Sequence, residues 1–320
     1  MREPLFVKQN SDKWNDFENN PTSDPDELAD RFIKITDDLA YAKTFYPKSK
    51  TTLYLNGLAA GLHQSIYKNR TEKGNRFIKF WKYELPLVFK AYQKQLFYSF
   101  IFFMVFCAVG ALSAKYDENF VRLILGDQYV DMTNANIAKG DPFGVYKQQG
   151  EFVMFIEIAA NNIYVALVNF VSGVIFSVGS IFFLFQNGLM LGSFEYYFFS
   201  KGLGTSSILV IWIHGTLEIL AFIIAGAAGM VLGNSLIFPK TYNRMVSLKK
   251  GAKDGMKMVL GLVPIFLTAA FFESFVTRHT EMPIWLSISI LALSLLFMIW
   301  YVIIYPNSLS KKTTQNATKN

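Results

Sequence analysis

Two ionisable side chains in an apolar part of this 320-residue sequence are spaced for joint chemistry. His214 and Glu218 are four residues apart, which places both side chains on one face of a helix. An imidazole and a carboxylate on one helix face can exchange a proton, bind an ion or hold a polar segment. Glu273, near the end of a later apolar run, is a third such side chain. A charge in the middle of a bilayer costs about 2.5–3.5 kcal/mol on insertion scales, so each of the three needs an explanation.

The structural alternative is that His214 and Glu218 bond each other and neighbouring helices. Such bonds average only about 0.6 kcal/mol in membrane proteins, but they specify which helices associate. A catalytic metal site is the least favoured alternative, because zinc hydrolases use three protein ligands and an open position. The segment His-Gly-Thr-Leu-Glu supplies two ligands and differs from a His-Glu-x-x-His helix. We therefore expect no metal and no cofactor.

Polar amides form a second group of candidates. Asn161, Asn162 and Asn169 fall in one apolar run, and Gln186 and Asn187 fall in the next. Together with the three ionisable side chains, the four asparagines could line a pathway for a solute or ion. This pattern favours a transporter or channel component as one function.

Small residues recur at intervals of four in the same runs. Gly188 and Gly192 form one pair, and Ala225, Gly229 and Gly233 form a longer series. Small residues at this spacing let two helix backbones approach closely in lipid. We expect them to serve internal helix packing rather than a dimer seam, although a homo-oligomer stays open.

Motifs for soluble catalysis are missing from the sequence. It contains no nucleotide-binding Gly-x-x-x-x-Gly-Lys-Ser/Thr loop, no dinucleotide fingerprint and no Gly-x-Ser-x-Gly elbow. The single cysteine, Cys107, excludes an intrachain disulfide framework, and only His63, His214 and His279 could serve a metal cluster. The sequence therefore predicts a protein that is not an enzyme.

The candidates lie in long apolar runs that predict an all-α polytopic membrane bundle. Charged residues make up 17% of the chain, against about 25% in soluble domains. Residues 158–194 contain no Asp, Glu, Lys or Arg, and about 20 apolar residues suffice to cross a bilayer. We predict six spans, with five as the alternative. The spans lie near 96–114, 158–178, 180–200, 206–236, 257–277 and 284–305.

The distribution of Lys and Arg predicts the orientation. Segment 48–94 and loop 237–257 are basic, whereas loop 115–157 is acidic. Because basic loops stay in the cytoplasm, six spans place all basic clusters on that side, and five do not. The predicted parts are a cytoplasmic helical region at 1–94, a membrane domain at 95–306 with external loop 115–157, and a cytoplasmic tail at 307–320.

The region before the first span is predicted to be helical. Asp24-Pro25 is a typical helix start, and apolar residues follow at helical spacing. A second helix is predicted near 51–68 and a third near 76–95. The third mixes aromatic and basic residues, which favours contact with anionic lipid headgroups over nucleic acid. Residues 1–20 lack the apolar core of a cleavable signal peptide.

The motifs together resemble the stage II sporulation protein M family of prokaryotic membrane proteins, over roughly residues 95–305. The resemblance rests on Asn161-Asn162-Ile163, on Asn187-Gly188 with Gly192, and on His214-Gly215-x-x-Glu218 with Ala225 and Gly229 behind it. It implies an anchor in the cytoplasmic membrane that assembles with cell-wall hydrolases, and it supplies no catalytic residues. The N-terminal region of about 90 residues departs from the family's namesake.

Three functions follow as hypotheses. The first is a non-enzymatic scaffold that organises partner proteins at the cell envelope. The second is a transporter or channel component that uses the intramembrane polar residues. The third is an intramembrane enzyme, which requires His214 to converge with Glu218 or Glu273 and a further ligand or nucleophile.

Overall fold

The computed structural model describes residues 1–22, 24–68, 76–144, 150–277 and 282–317. Within these ranges the regular structure is helical throughout, with no strand. The chain divides into two compact units, Met1–Arg76 and Phe77–Asn320. The predicted all-α class is therefore confirmed.

The described part of the first unit contains three helices. These are α1 (Glu3–Asn19), α2 (Pro25–Phe45) and α3 (Lys50–Lys68). The helix start predicted at Asp24 is confirmed, because its carboxylate accepts a hydrogen bond of 3.0 Å from the Asp26 amide. The apolar face of α2 packs against Leu55 of α3 and against Phe6 and Trp14 of α1. This unit therefore has a hydrophobic core of its own.

The second unit begins with short helical pieces and continues with long helices. The pieces before the first long helix are α4 (Arg76–Lys79), a π-helical turn (Phe80–Glu84) and α5 (Leu85–Ala91). The helices that follow are α6 (Gln93–Tyr116), α7 (Glu118–Leu125), α8 (Asp127–Ala138), α9 (Glu151–Ser172), α10 (Val178–Ser200), α11 (Gly204–Ile237), α12 (Arg244–Phe271), α13 (Ile284–Ile299) and α14 (Tyr305–Ala317). Two further π-helical turns, Phe272–Val276 and Trp300–Ile304, follow α12 and α13.

Within the described residues, five helical segments are long and apolar enough to cross a membrane. They are Gln93–Tyr116, Glu151–Ser172, Gly204–Ile237, Arg244–Val276 and Ile284–Lys312. The third of the six predicted spans, 180–200, forms α10, which has the length of a span but a lower hydropathy, since it carries Gln186, Asn187 and Glu195. The preference for six spans is therefore not confirmed, and a sixth crossing depends on α10.

The predicted bend between the second and third spans is a tight turn at residues 173–177. Phe176 and Ser177 adopt positive φ angles there, of 48° and 69°. The Ser180 hydroxyl then donates a hydrogen bond of 2.5 Å to the carbonyl oxygen of Asn169 across the turn. The chain thus reverses within five residues between α9 and α10.

The segment that was expected to lie against lipid headgroups packs its apolar face into the bundle. Leu85 and Phe89 are 0% and 1% exposed, and both belong to the main core. A Cβ on Gly261 of α12 would collide with the Leu85 side chain, so the two helices touch. Lys257 and Glu84 form an ion pair of 2.6 Å beside this contact.

The predicted external loop 115–157 is mostly helical. It contains α7, α8 and the first two turns of α9. We refer to residues 118–144 as the cap. Arg122 bonds Asp127 and Asp131 within it, and Phe143 stacks on Phe198 of α10 with ring centroids 5.9 Å apart. Loop 237–257 also differs from the expectation, because α12 begins at Arg244.

Helix α11 is the centre of the membrane bundle and is buried along most of its length. A Cβ on Gly229 or Gly233 would collide with the turn after α9, near Ser180 and Ser177. A Cβ on Gly192 of α10 would collide with the Cys107 carbonyl oxygen of α6. Close helix contacts in this bundle therefore run through glycines.

Candidate functional site

The three ionisable side chains that the sequence singled out converge in the structure. His214 Nε2 lies 3.9 Å from Glu273 Oε2. One ligand atom from each of His214, Glu218 and Glu273 can be chosen so that all three lie within 4.8 Å of one another. The His214 and Glu273 side chains are 5% and 16% exposed. The helical spacing placed the first two on one face, and the packing of α12 adds the third.

The position of Glu273 depends on the irregular end of α12. It is the second residue of the π-helical turn Phe272–Val276. A π-helical turn accommodates one extra residue, which changes the face on which the following side chains lie. Such turns occur often at functional sites.

Thr277 contacts the second nitrogen of the imidazole, Nδ1. Its hydroxyl oxygen lies 3.0 Å from His214 Nδ1, and the residue is 1% exposed. The imidazole therefore contacts the end of another helix through Thr277 and Glu273. The bond predicted between His214 and Glu218 stays a prediction, with both side chains in the same cluster.

The cluster opens into a cavity of about 720 Å³ between α9, α10, α11 and the cap. This volume lies within the usual range of ligand pockets, about 300–1,000 Å³. The cavity wall is largely apolar. Its polar side chains and the adjacent motif glycine are Tyr129, Glu157, Asn161, Asn162, Asn187, His214, Gly215, Glu218 and Glu273.

Asn162 is the amide most closely associated with the cluster. It is 8% exposed, and its Nδ2 makes no well-formed hydrogen bond although it lies close to the Glu218 carboxyl group. Asn187 differs, because its Nδ2 donates to the Phe183 carbonyl oxygen in its own helix. A buried amide donor without a good acceptor is uncommon and points to a partner that enters the cavity.

Other residues from the sequence prediction lie elsewhere. Asn169 is fully buried near the α9–α10 turn and does not line the cavity. Gly188 and Gly192 face α6, where a Cβ on Gly188 would approach the Phe106 Cβ to 2.8 Å. Ala225 belongs to the main core. His279 lies outside the described residues.

Three polar residues of the site were not among those singled out from the sequence. Glu157 lies one helical turn before Asn161 and lines the same cavity, so its i, i+4 spacing was an available signal. Tyr129 reaches the cavity from the cap, and Thr277 bonds the imidazole; neither had a signal in the sequence. Burial raises the pKa of Tyr129 to about 12, so its hydroxyl stays neutral at physiological pH.

The chemistry of the cluster is that of a cation site. Two carboxylates in close proximity and away from water repel each other when both are ionised, unless a positive charge lies between them. A proton or a metal cation supplies that charge. The sequence disfavours a metal site because His214 and Glu218 supply only two ligands. The structure brings Glu273 to them as a third.

The enzyme alternative passes its first geometric requirement, since Glu273 and His214 lie side by side. It also needs a further ligand or a nucleophile, and the convergence of both Glu218 and Glu273 on His214 supplies the further ligand. Among the described residues that line the cavity there is no Ser, Cys or Lys. The geometry therefore supports binding more directly than covalent chemistry.

Comparisons with known proteins identify two family models. The model of stage II sporulation protein M matches residues 99–278, which include the cavity and all three ionisable residues. A domain of unknown function (DUF8413) matches residues 4–68, which form the first unit. No curated protein and no solved structure matches the chain.

Proposed function

Since the chain belongs to the stage II sporulation protein M family and is a multi-pass membrane protein, we propose that it binds a small cation inside its helix bundle and takes part in carrying it across the membrane. The observation that carries this proposal is the convergence of His214, Glu218 and Glu273 on a cavity lined by asparagine amides. The function is one of binding and transport, and it includes no covalent step.

The depth of the cluster supports this function. His214 is ten residues after the start of α11, which corresponds to about 15 Å along the helix axis. The hydrocarbon core of a bilayer is about 30 Å thick, so this position is deep in the membrane. Ionisable residues at such depth usually mark ion or proton pathways. The amides of Asn161 and Asn187 can replace part of the hydration shell of an entering ion.

A flux experiment tests the proposal. The purified full-length chain is reconstituted into liposomes, and the entry of H⁺ and of Zn²⁺ is followed with trapped indicators under an imposed membrane potential. We expect flux of at least one ion above that of empty vesicles. The flux should fall at least about tenfold in Glu218→Gln, because this change removes a carboxylate from the path.

Glu195→Gln is the matched control. Glu195 is also a carboxylate on a long apolar helix, but it accepts a hydrogen bond of 2.7 Å from Trp212 Nε1 and does not line the cavity. This variant should keep the wild-type flux. Wild-type flux of both ions at the level of empty vesicles would contradict the proposal.

A scaffold function is the second candidate, and a different observation favours it. The first unit has its own hydrophobic core and its own family match, which is typical of a separate partner-binding domain. We propose that this unit lies in the cytoplasm, that the cap faces outward, and that the protein is in the cytoplasmic membrane of a prokaryote. Envelope proteins such as cell-wall hydrolases would then bind the cap.

Crosslinking in cells tests this second function, with photoreactive groups placed on exposed cap positions such as Leu123. We expect defined envelope proteins as products. A reporter fused after Asn320 tests the orientation and should lie in the cytoplasm when six spans are present. Anionic lipid headgroups are a further proposed partner, because basic segments flank the spans.

A further inference from the structure

We infer that His214, Glu218 and Glu273 form a binding site for a divalent d-block cation, for which Zn²⁺ is the probe. This inference rests on the proposed function, because it names the class of cation that the cavity takes. It starts from the donor set: one imidazole nitrogen and two carboxylates, on α11 and on the turn after α12.

The distances between the donors suit a metal of this size. Two donors that each lie about 2.1 Å from a tetrahedral metal are about 3.4 Å apart. His214 Nε2 and Glu273 Oε2 are 3.9 Å apart, and all three donors fit within 4.8 Å. The observed separations therefore exceed the tetrahedral spacing by about 0.5 Å for His214 and Glu273 and by at most about 1.4 Å within the cluster.

The charges match a divalent ion. Two ionised carboxylates and a neutral imidazole carry two negative charges, which one divalent cation neutralises in a medium where unbalanced charge is unfavourable. The imidazole favours a d-block ion over Mg²⁺ and Ca²⁺, which prefer oxygen ligands in larger number. The adjoining cavity leaves an open position for water or for an exchanging ligand.

The contacts behind the donors are of the kind that metal sites use. When His214 Nδ1–H donates to the Thr277 hydroxyl, the lone pair of Nε2 lies towards the Glu273 carboxylate. Two electron-rich groups then face each other, and a cation between them removes the repulsion. A bond from the second imidazole nitrogen to an oxygen is the usual way in which proteins orient a metal-binding histidine.

Asn162 is the independent observation. Its side chain is 92% removed from solvent, its Nδ2 lacks a well-formed hydrogen bond, and it lies close to the Glu218 carboxyl group. A carboxylate that binds a metal through one oxygen can accept a hydrogen bond on the other. Asn162 is therefore placed to orient Glu218 once a cation is bound.

A binding measurement tests the inference. The full-length chain in detergent is stripped with a chelator and titrated with Zn²⁺ in a calorimeter. We expect one Zn²⁺ per chain, with affinity reduced at least about 100-fold in His214→Gln and Glu273→Gln and about tenfold in Asn162→Ala, which removes only the orienting contact. Glu195→Gln, which leaves the cavity intact, should bind like the wild type.

A spectrum of the wild-type protein tests the site without any substitution, so its result does not depend on whether a variant folds. Loading with Co²⁺ should give the intense visible absorption of a four-coordinate ion, and Zn²⁺ should displace it while Mg²⁺ should not. Failure to bind Zn²⁺ at one per chain, or binding that Glu273→Gln leaves unchanged in a folded sample, would overturn the inference.

The result is separable from the test of transport. Flux of H⁺ without Zn²⁺ binding would overturn the metal site and leave the proposed function standing. Stoichiometric Zn²⁺ binding without any flux would overturn transport and leave the metal site standing.

Discussion

The two units of this chain differ in whether their buried polar groups are hydrogen-bonded. In the first unit, Trp14 Nε1 donates a hydrogen bond of 2.7 Å to Asp38, and Arg31 bonds both Glu27 and the Asn20 carbonyl oxygen. Within residues 1–22 and 24–68, no buried side-chain nitrogen or oxygen lacks a hydrogen bond. In the second unit, four described side chains have such atoms. They are Trp81, Asn162, Asn169 and Ser274.

The difference is the one we expect if the first unit folds in water and the second unit folds in lipid. In water, burial of apolar side chains drives association, and polar groups tolerate burial only when they are bonded. In lipid, the surroundings are as apolar as the core, so helices associate through close packing of small residues and polar bonds. Polar side chains in the bundle are therefore informative about function, whereas those of the first unit are explained by its own fold.

The largest expected effect comes from adding one methyl group to a glycine. In Gly192→Ala, the new Cβ meets the Cys107 carbonyl oxygen of α6, and overpacking of this kind costs about 1–3 kcal/mol. In Gly61→Ala, a Cβ meets no atom within 4 Å, and the better helix propensity of alanine should stabilise α3 by about 0.5–1 kcal/mol. The same substitution therefore has opposite signs in the two units.

Thermal unfolding of the full-length chain in detergent measures the first variant, and amide exchange across residues 50–68 measures the second. A Gly192→Ala protein that unfolds at the wild-type temperature would show that close contact between α6 and α10 is not needed for stability. The contrast in helix packing between the two units would then be lost.

Much of the bundle could be predicted because lipid imposes a simple pattern. The apolar runs predicted the bounds of α6, α10 and α11 to within three residues, whereas α9 and α12 begin seven and thirteen residues earlier than predicted. The four-residue spacing placed His214 and Glu218 on one face. Glu273 could not be joined to them from the sequence. Its place depends on how α12 packs on α11 and on the π-helical turn, and neither leaves a local pattern.

The elements that the sequence analysis missed are short or rich in charge. Helix α1 and the cap helices α7 and α8 have no long apolar run, and their cores form only through contact with other helices. Phe6 and Trp14 become a core when α2 and α3 cover them. Segments of this kind are fixed by tertiary contacts, which a single sequence does not display.

Two substitutions with intermediate expected effects on stability test directly how the two units differ in the hydrogen bonding of buried polar groups. Both polar atoms of the Asn169 amide lack a hydrogen-bond partner, and the residue is 0% exposed. Replacement by valine, which is close in size, should raise the stability of the bundle by about 1 kcal/mol, because an unsatisfied polar group is removed. Trp14→Phe should lower the stability of the first unit by about the same amount, because the bond to Asp38 is lost.

The readouts are thermal unfolding in detergent for Asn169→Val and amide exchange over residues 3–45 for Trp14→Phe. Loss of stability in Asn169→Val would mean that a partner satisfies this amide in the membrane. The contrast between the two units would then apply to the cavity residue Asn162 alone.

The smallest expected effect is a pH dependence confined to the first unit. Glu27 accepts hydrogen bonds from the Thr22 hydroxyl and from Arg31, which together hold the pKa of its carboxyl below 4.5. A lowered pKa in the folded state means that this contribution to stability is complete above pH of about 4.5 and is lost as the pH falls through the lowered pKa. Because the Glu27 side chain is 46% exposed, amide exchange near residue 27 should differ between wild type and Glu27→Gln by only about twofold at pH 6. The difference should vanish once the pH has fallen below this lowered pKa, because the Glu27 carboxyl is then uncharged like the amide of the variant. Asp37→Asn on the same helix serves as the control. A difference that persists at the lower pH would show that Glu27 acts through packing, and that even the exposed charges of this unit are not governed by water alone.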